Sequence, residues 1–154
     1  MLRRGILHPG ILSSLAAAGH GSLVLIADAN FPAGTQRGPF TDIVHLDLVP
    51  GVVDATTVLE SLLSMVRVEE STVMRPATEG PYALDAEPPV WSRFRDALSA
   101  VDADPHLRQL DRVDFYSAAH HSDLALTIVT AETEIYANIL VRIGVVRADG
   151  PTPI

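Results

Sequence analysis

Between Pro9 and Pro32 the hydrophobic pattern changes period once, and the change falls on Gly19-His20-Gly21. Before it, Ile11, Leu12, Leu15 and Ala18 recur at helical spacing, which predicts a helix over 9–18 with Gly19 as its left-handed terminator. After it, the apolar run Leu23-Val24-Leu25-Ile26 predicts a short buried strand over 22–27. Asp28 closes that run, and Pro32, Gly34, Gly38 and Pro39 punctuate the loop that follows. The same stretch holds an imidazole and a carboxylate, the side chains that most readily exchange protons or grip hydroxyls near neutral pH. Glycines on both sides of His20 let a ligand approach closely. A proton-transfer site for a small polar ligand is the first functional hypothesis.

Farther on, helix-like and strand-like segments continue to alternate. Asp42 to Leu48 sets Ile43, His45 and Asp47 against Val44, Leu46 and Leu48, the alternation of a half-exposed strand. Asp54 can cap a helix to about Val66, with Leu59, Leu62, Leu63 and Val66 as its buried stripe. Val68 to Met74 reads as a strand, and the proline-rich Glu79 to Pro89 as a loop. Val90 to Val101 is an amphipathic helix with Val90, Phe94, Ala97, Leu98 and Val101 on one side. Leu107 to Leu110 is a weak strand, Asp114 to His121 a short helix, Leu124 to Thr130 a strand and Tyr136 to Ile143 a last strand. This alternation argues for α/β layers, ending in an antiparallel hairpin. Residues 1–146 read as one domain and the tail from Arg147, with Gly150, Pro151 and Pro153, as frayed.

The chain's 154 residues suit one domain with a substantial core, and 47% hydrophobic with 19% charged residues place it among soluble globular proteins. A net charge of -8 without a basic block leaves no electrostatic footprint for nucleic acid or an anionic membrane. The apolar runs fall short of the roughly 20 residues that span a bilayer. Arg3 and Arg4 precede too short a hydrophobic segment for a signal peptide, so a cytoplasmic location is expected. Without cysteine there is no disulfide, thiol nucleophile or cysteine-based metal site. His120 and His121 are adjacent and diverge on a helix, and no His-Glu-x-x-His pattern or glycine-rich phosphate loop is present. No metal and no cofactor is expected.

Asp28 lies at the carboxyl end of a buried strand, where open α/β sheets tend to bind ligands, although a plain turn or cap would use it equally well. Arg112 follows a weak strand and could donate forked hydrogen bonds to hydroxyls, or simply pair with Asp111 or Asp114. Tyr136 and Asn138, two apart on an expected strand, share a face that either reads a ligand or edges the sheet. Glu69, Glu70, Glu132 and Glu134 read as solvated faces.

Taken in order, Gly19-His20-Gly21, Asp28-Ala29-Asn30-Phe31-Pro32, Glu79-Gly80, Asp111-Arg112 with Phe115-Tyr116, and Tyr136-Ala137-Asn138-Ile139-Leu140 resemble the fucose mutarotase and ribose pyranase family over almost the whole chain. The Phe-Pro after Asp28 and the Asp-Arg before Phe-Tyr look more like the fucose branch. The resemblance implies a three-layer α/β/α fold with a mixed sheet and a ring-shaped homodecamer. It implies His20 as general acid/base, and Asp28, Arg112, Tyr136, Asn138 and the backbone of Ala137 as binding groups for a monosaccharide. Ser117 departs from the glutamate of the fucose branch, and the segment His120 to Leu126 is slightly longer than its counterpart, so the sugar need not be the family's.

Mutarotation needs a proton at the ring oxygen and one removed from the anomeric hydroxyl, which an ordinary imidazole can serve in both directions. A non-catalytic sugar-binding ring is the rival from another class. One geometric difficulty stands out. Six strand residues at about 3.3 Å each would set His20 and Asp28 roughly 20 Å apart. Either a flanking turn folds back, or neighbouring subunits share one pocket.

Overall fold

The structure, a computed structural model, describes residues 5–146, so Arg3, Arg4 and the tail expected from Arg147 lie outside the described residues. The elements are α1 (Pro9–Ala17), β1 (Leu23–Ala27), β2 (Asp42–His45), α2 (Ala55–Leu63), β3 (Val68–Met74), α3 (Pro89–Ser99), β4 (Leu107–Leu110), α4 (Arg112–Ala119), β5 (Leu124–Val129) and β6 (Ile139–Ile143). No helix among the described residues is long and apolar enough to cross a membrane.

The strands form one mixed sheet in the order β2-β5-β1-β6-β3-β4. β5 is parallel to β1 and β2, and β3 is parallel to β4, whereas β6 runs antiparallel to both β1 and β3. Five strands therefore point one way around a single reversed one. Their carboxyl ends meet the amino end of β6 at one edge. The hairpin expected at the end of the chain does not form: β6 inserts between β1 and β3 instead of pairing with β5.

Side-chain parity along the strands divides the core in two. Val24, Ile26, Leu126, Ile128, Ile139 and Val141 face a cluster completed by α1, α2 and α3. Leu23, Leu25, Ala27, Val129 and Leu140 face the opposite way, against Phe31 and the Phe115 and Ala119 of α4. This is the three-layer α/β/α arrangement. Trp91, Phe94 and Phe115 are completely buried; each such side chain contributes about 1.5–3 kcal/mol by leaving water.

Several boundaries differ from the sequence-based expectation, each for a local reason. Gly19 is not left-handed: α1 ends at Ala17 and is capped by the extended Ala18, whose N–H bonds the Ser14 carbonyl, and the positive φ falls on Gly21 (+85°). β2 stops at His45, and the chain turns through Gly51 (φ +82°) with Leu48 exposed. Val101 lies beyond the end of α3 and is exposed. α4 starts two residues earlier than expected, because the Asp111 carboxylate accepts from the Asp114 N–H and caps the helix. β6 starts three residues later, because Tyr136 adopts φ +63°, a left-handed conformation that interrupts extended chain.

Candidate functional site

The carboxyl edge of the sheet carries a cavity of about 320 Å³, at the small end of the usual range for ligand sites. Asp28 leaves the end of β1, Met74 ends β3, Arg112 opens α4 directly after β4, and Asn138 immediately precedes the reversed β6. All four line this one space, together with Tyr136 and the rings of Phe31 and Tyr116. The topology explains the convergence: an antiparallel strand between parallel neighbours delivers the residue before its start to the place where their ends emerge.

Asp28 is held in place by its neighbours. The Asn138 side-chain NH2 donates to its Oδ2 at 2.6 Å while the Asn138 side-chain Oδ1 accepts from the Asp28 N–H at 2.9 Å. The Asn30 N–H donates to Oδ1 at 2.9 Å. Burial raises the Asp28 pKa above its ordinary 3.8, and hydrogen bonds from Asn30, Asn138, Phe31 and Ala137 only partly offset that. The carboxyl group is thus a fixed acceptor in the cavity wall. Arg112 lies across it from a different element. Its guanidinium sits 5.3 Å from the centre of the Tyr116 ring, and no carboxylate among the described residues lies within ion-pairing distance of it. The pairing with Asp111 or Asp114 open from sequence is therefore absent. Tyr116 in turn packs on Phe31 at 5.8 Å between ring centres, giving the cavity an apolar floor.

Tyr136 lines the cavity, but its hydroxyl is already committed. It donates to the Tyr82 carbonyl at 2.8 Å and accepts from the Ala77 N–H at 3.0 Å, fastening the 77–82 loop to the rim. The Trp91 indole N–H donates to the Tyr136 carbonyl at 3.1 Å. Tyr136 and Asn138 reach the same space without being on a strand, so the shared-face argument is replaced by a turn. Ala137 is fully buried between them. Glu132 and Glu134 are not the solvated face expected of them. Glu132 is buried and accepts from the Thr133 and Glu134 N–H groups. Glu134 accepts from the Val90 N–H at 3.1 Å and from Arg93 at 2.6 Å, tying the turn to the start of α3.

His20 is elsewhere. It sits in the turn before β1, at the amino edge, with its side chain 58% exposed. That turn is fastened to the end of β6, where the Gly21 N–H donates to the Ile143 carbonyl and Arg142 donates to the Gly21 carbonyl. Its Nε2 lies 3.1 Å from Glu69 Oε2 at the start of β3. A carboxylate only accepts, so Nε2 carries the hydrogen and Nδ1 is left free to take a proton. Within one chain neither flanking turn folds back: the length of β1 separates His20 from Asp28. Glu69 and Tyr82 were missed as candidates; Glu69 meets its partner across 49 positions of sequence, which no local pattern reports.

A mixed α/β sheet presenting a fixed carboxylate, an unpaired arginine and an apolar floor at its carboxyl edge defines a binding domain for a small hydroxyl-rich molecule. The chain belongs to the RbsD / FucU transport protein family, whose model matches residues 1–146. It is 28% identical over 145 residues to the fucose mutarotase of Mus musculus, covering 90% of each protein. It is similar to the crystal structure of the fucose mutarotase in complex with L-fucose from Streptococcus pneumoniae, with a TM-score of 0.77 and 25% identity over 92% of this chain and 95% of that one. It shares its fold with Bacillus subtilis RbsD complexed with D-ribose, with a TM-score of 0.71 and 21% identity over 96% of this chain and 100% of that one.

Proposed function

We propose that this chain is a monosaccharide mutarotase, an isomerase that interconverts the α and β anomers of L-fucose or a related sugar without a cofactor. The observation that carries the reading is the convergence of Asp28, Arg112 and Asn138 in one sugar-sized cavity, on a fold shared with a fucose mutarotase bound to L-fucose. Asp28 accepts from sugar hydroxyls and Arg112 donates to them, while Phe31 and Tyr116 face the apolar side of the ring. Proton transfer falls to His20. It takes the anomeric hydroxyl's proton and passes that same proton to the ring oxygen as the C1–O5 bond breaks to the open-chain aldehyde, and reclosure on the other face reverses each step. Such positioned acid/base catalysis accelerates a reaction by roughly 10²–10⁴-fold.

Because His20 and the cavity occupy opposite sheet edges, the complete site in this reading contains His20 of a neighbouring subunit. The reading includes a cytoplasmic homo-oligomer, a decameric ring by the resemblance drawn from the sequence. A dilute, demonstrably monomeric preparation with full activity would sink the shared site.

The test is saturation-transfer NMR of anomer exchange on wild type and His20→Ala, with L-fucose and D-ribose in parallel. Faster exchange of one sugar, lost in the variant, establishes the activity and names the substrate; faster pyranose–furanose exchange of D-ribose alone makes the chain a ribose pyranase. Unchanged exchange for every sugar makes it a binding module.

A further inference from the structure

A second cavity of about 460 Å³ adjoins the first and shares Tyr82, Arg112 and Tyr136 with it. Tyr136 is a fixed partition between them, because both hydrogen-bonding directions of its hydroxyl are taken by the 77–82 loop. Arg112 borders both spaces, and beyond it the second is lined by Arg75, Thr78, Glu79 and Asp111.

We propose that this space is a second saccharide subsite, so that the protein accepts the reducing end of a disaccharide as well as a single sugar. The inference rests on the mutarotase reading and extends it in substrate class. Three features of the wall point to a neutral sugar ring. First, Arg75 and Glu79 line the same space as Arg112 and Asp111, yet no two of them approach within ion-pairing distance among the described residues. The gap between them is therefore open to an interposed ligand. Second, two cations and two anions balance, so the wall favours neither a sugar phosphate nor an amine; it offers donors and acceptors in turn, as a ring of hydroxyls requires. Third, Tyr82 is 62% exposed and lines both spaces, an aromatic surface free to receive the apolar face of a pyranose.

The chemistry restricts the linkage. The reducing ring must keep its C1 hydroxyl free, since ring opening breaks C1–O5 as that hydroxyl loses its proton. The second ring is consequently attached through another hydroxyl and extends past Arg112 without taking part in the reaction. A bulky group on C1 would block the reaction outright.

The experiment is anomer-exchange NMR on the intact oligomer with L-fucose, D-ribose, lactose, maltose, melibiose and D-glucuronate. The expected result is acceleration of a monosaccharide and of at least one disaccharide. Arg75→Ala should then lower kcat/KM for that disaccharide about tenfold, the loss of a hydrogen bond to a charged group, and leave the monosaccharide within about twofold. Thr78→Trp, which fills the second space from its exposed loop, should give the same split without relying on Arg75. Acceleration of monosaccharides alone, or of glucuronate in preference to every disaccharide, overturns the second subsite and leaves the mutarotase reading standing. Equal losses for both substrate classes in both variants also overturn it. No acceleration with any sugar overturns both readings.

Discussion

The two edges of the sheet are built on opposite physical terms. At the carboxyl edge, Asp28 and Asn138 are buried and locked together by reciprocal hydrogen bonds, with Arg112 poised across a preformed cavity. At the amino edge, His20 and Glu69 form an exposed pair. A binding site needs fixed donors and acceptors, and burial supplies the fixity. A proton-transfer group needs access to a substrate held elsewhere, and exposure supplies the access. One chain separates the two groups by the length of β1, and the proposed function leaves their union to assembly.

The sharpest way to break that contrast is to remove each half in turn. His20→Ala is expected to lose about 10²–10⁴-fold in anomer-exchange rate while keeping the wild-type melting temperature and sugar binding, since nothing buried depends on the ring. Asp28→Asn is expected to lose binding instead. Oligomers reassembled from a mixture of the two inactive variants should recover part of the activity, because some sites then combine an intact His20 with an intact Asp28. No recovery, with mixing verified by mass spectrometry, would place both halves in the same chain's site and defeat the shared pocket.

Asn138→Ala comes next in size. It strips a buried carboxyl group of its 2.6 Å donor and the Asp28 N–H of its acceptor, a loss of about 1–3 kcal/mol. The pH dependence follows from the sign of the Asp28 shift. Its folded pKa is raised, so above 3.8 the folded chain holds a proton that the unfolded chain has released, and stability falls as pH climbs towards the raised value. Removing the Asn138 hydrogen bond raises that value further. Urea melts should therefore show a larger deficit for the variant near neutrality than below pH 3.8, where the carboxyl group is protonated in both states.

The same contrast accounts for what could be read from the sequence. Asp28 follows a strand that announces itself by composition and Arg112 a weaker one, and in a sheet of parallel strands the residue after a strand end is a ligand candidate by topology alone. The helices are legible for a similar reason, since apolar stripes and the Asp54 cap are local signals, although the Asp111 cap that starts α4 two residues early went unread. Tyr136 was not legible in that way. Its surroundings, Ile135-Tyr136-Ala137-Asn138-Ile139, read as strand, and only long-range partners, Trp91, Ala77 and Tyr82, hold it in a left-handed turn. Glu134 misled likewise, because the Val90 N–H and Arg93 reach it only after α3 has docked, whereas Glu132 turns inward onto the N–H groups of its own turn. The insertion of β6 between β1 and β3, which completes the cavity, is a pairing choice that composition does not encode.

Trp91→Phe sharpens the account of that turn at a smaller scale. The ring volume is largely kept, and the lost indole hydrogen bond to the Tyr136 carbonyl costs about 0.5–1.5 kcal/mol. If Trp91 holds the turn for binding, KM should rise severalfold with kcat nearly constant; a fall in melting temperature with unchanged KM would make it a packing residue only.

The smallest effect belongs to Glu69→Gln, and its size discriminates. The His20–Glu69 pair is exposed on both sides, 58% and 39%, and an exposed pair is worth at most about 1 kcal/mol, or roughly fivefold in rate. The glutamine can still accept from Nε2 and preserve the tautomer, so only the charge is lost. A loss within fivefold, read from anomer exchange with the substrate saturating, fits an imidazole that works while solvated. A loss of a hundredfold would mean that assembly buries the pair, since only desolvation makes one charge worth that much. The exposed edge would then be exposed in the isolated chain alone, and the division between the two edges would be a property of the protomer that the working oligomer removes.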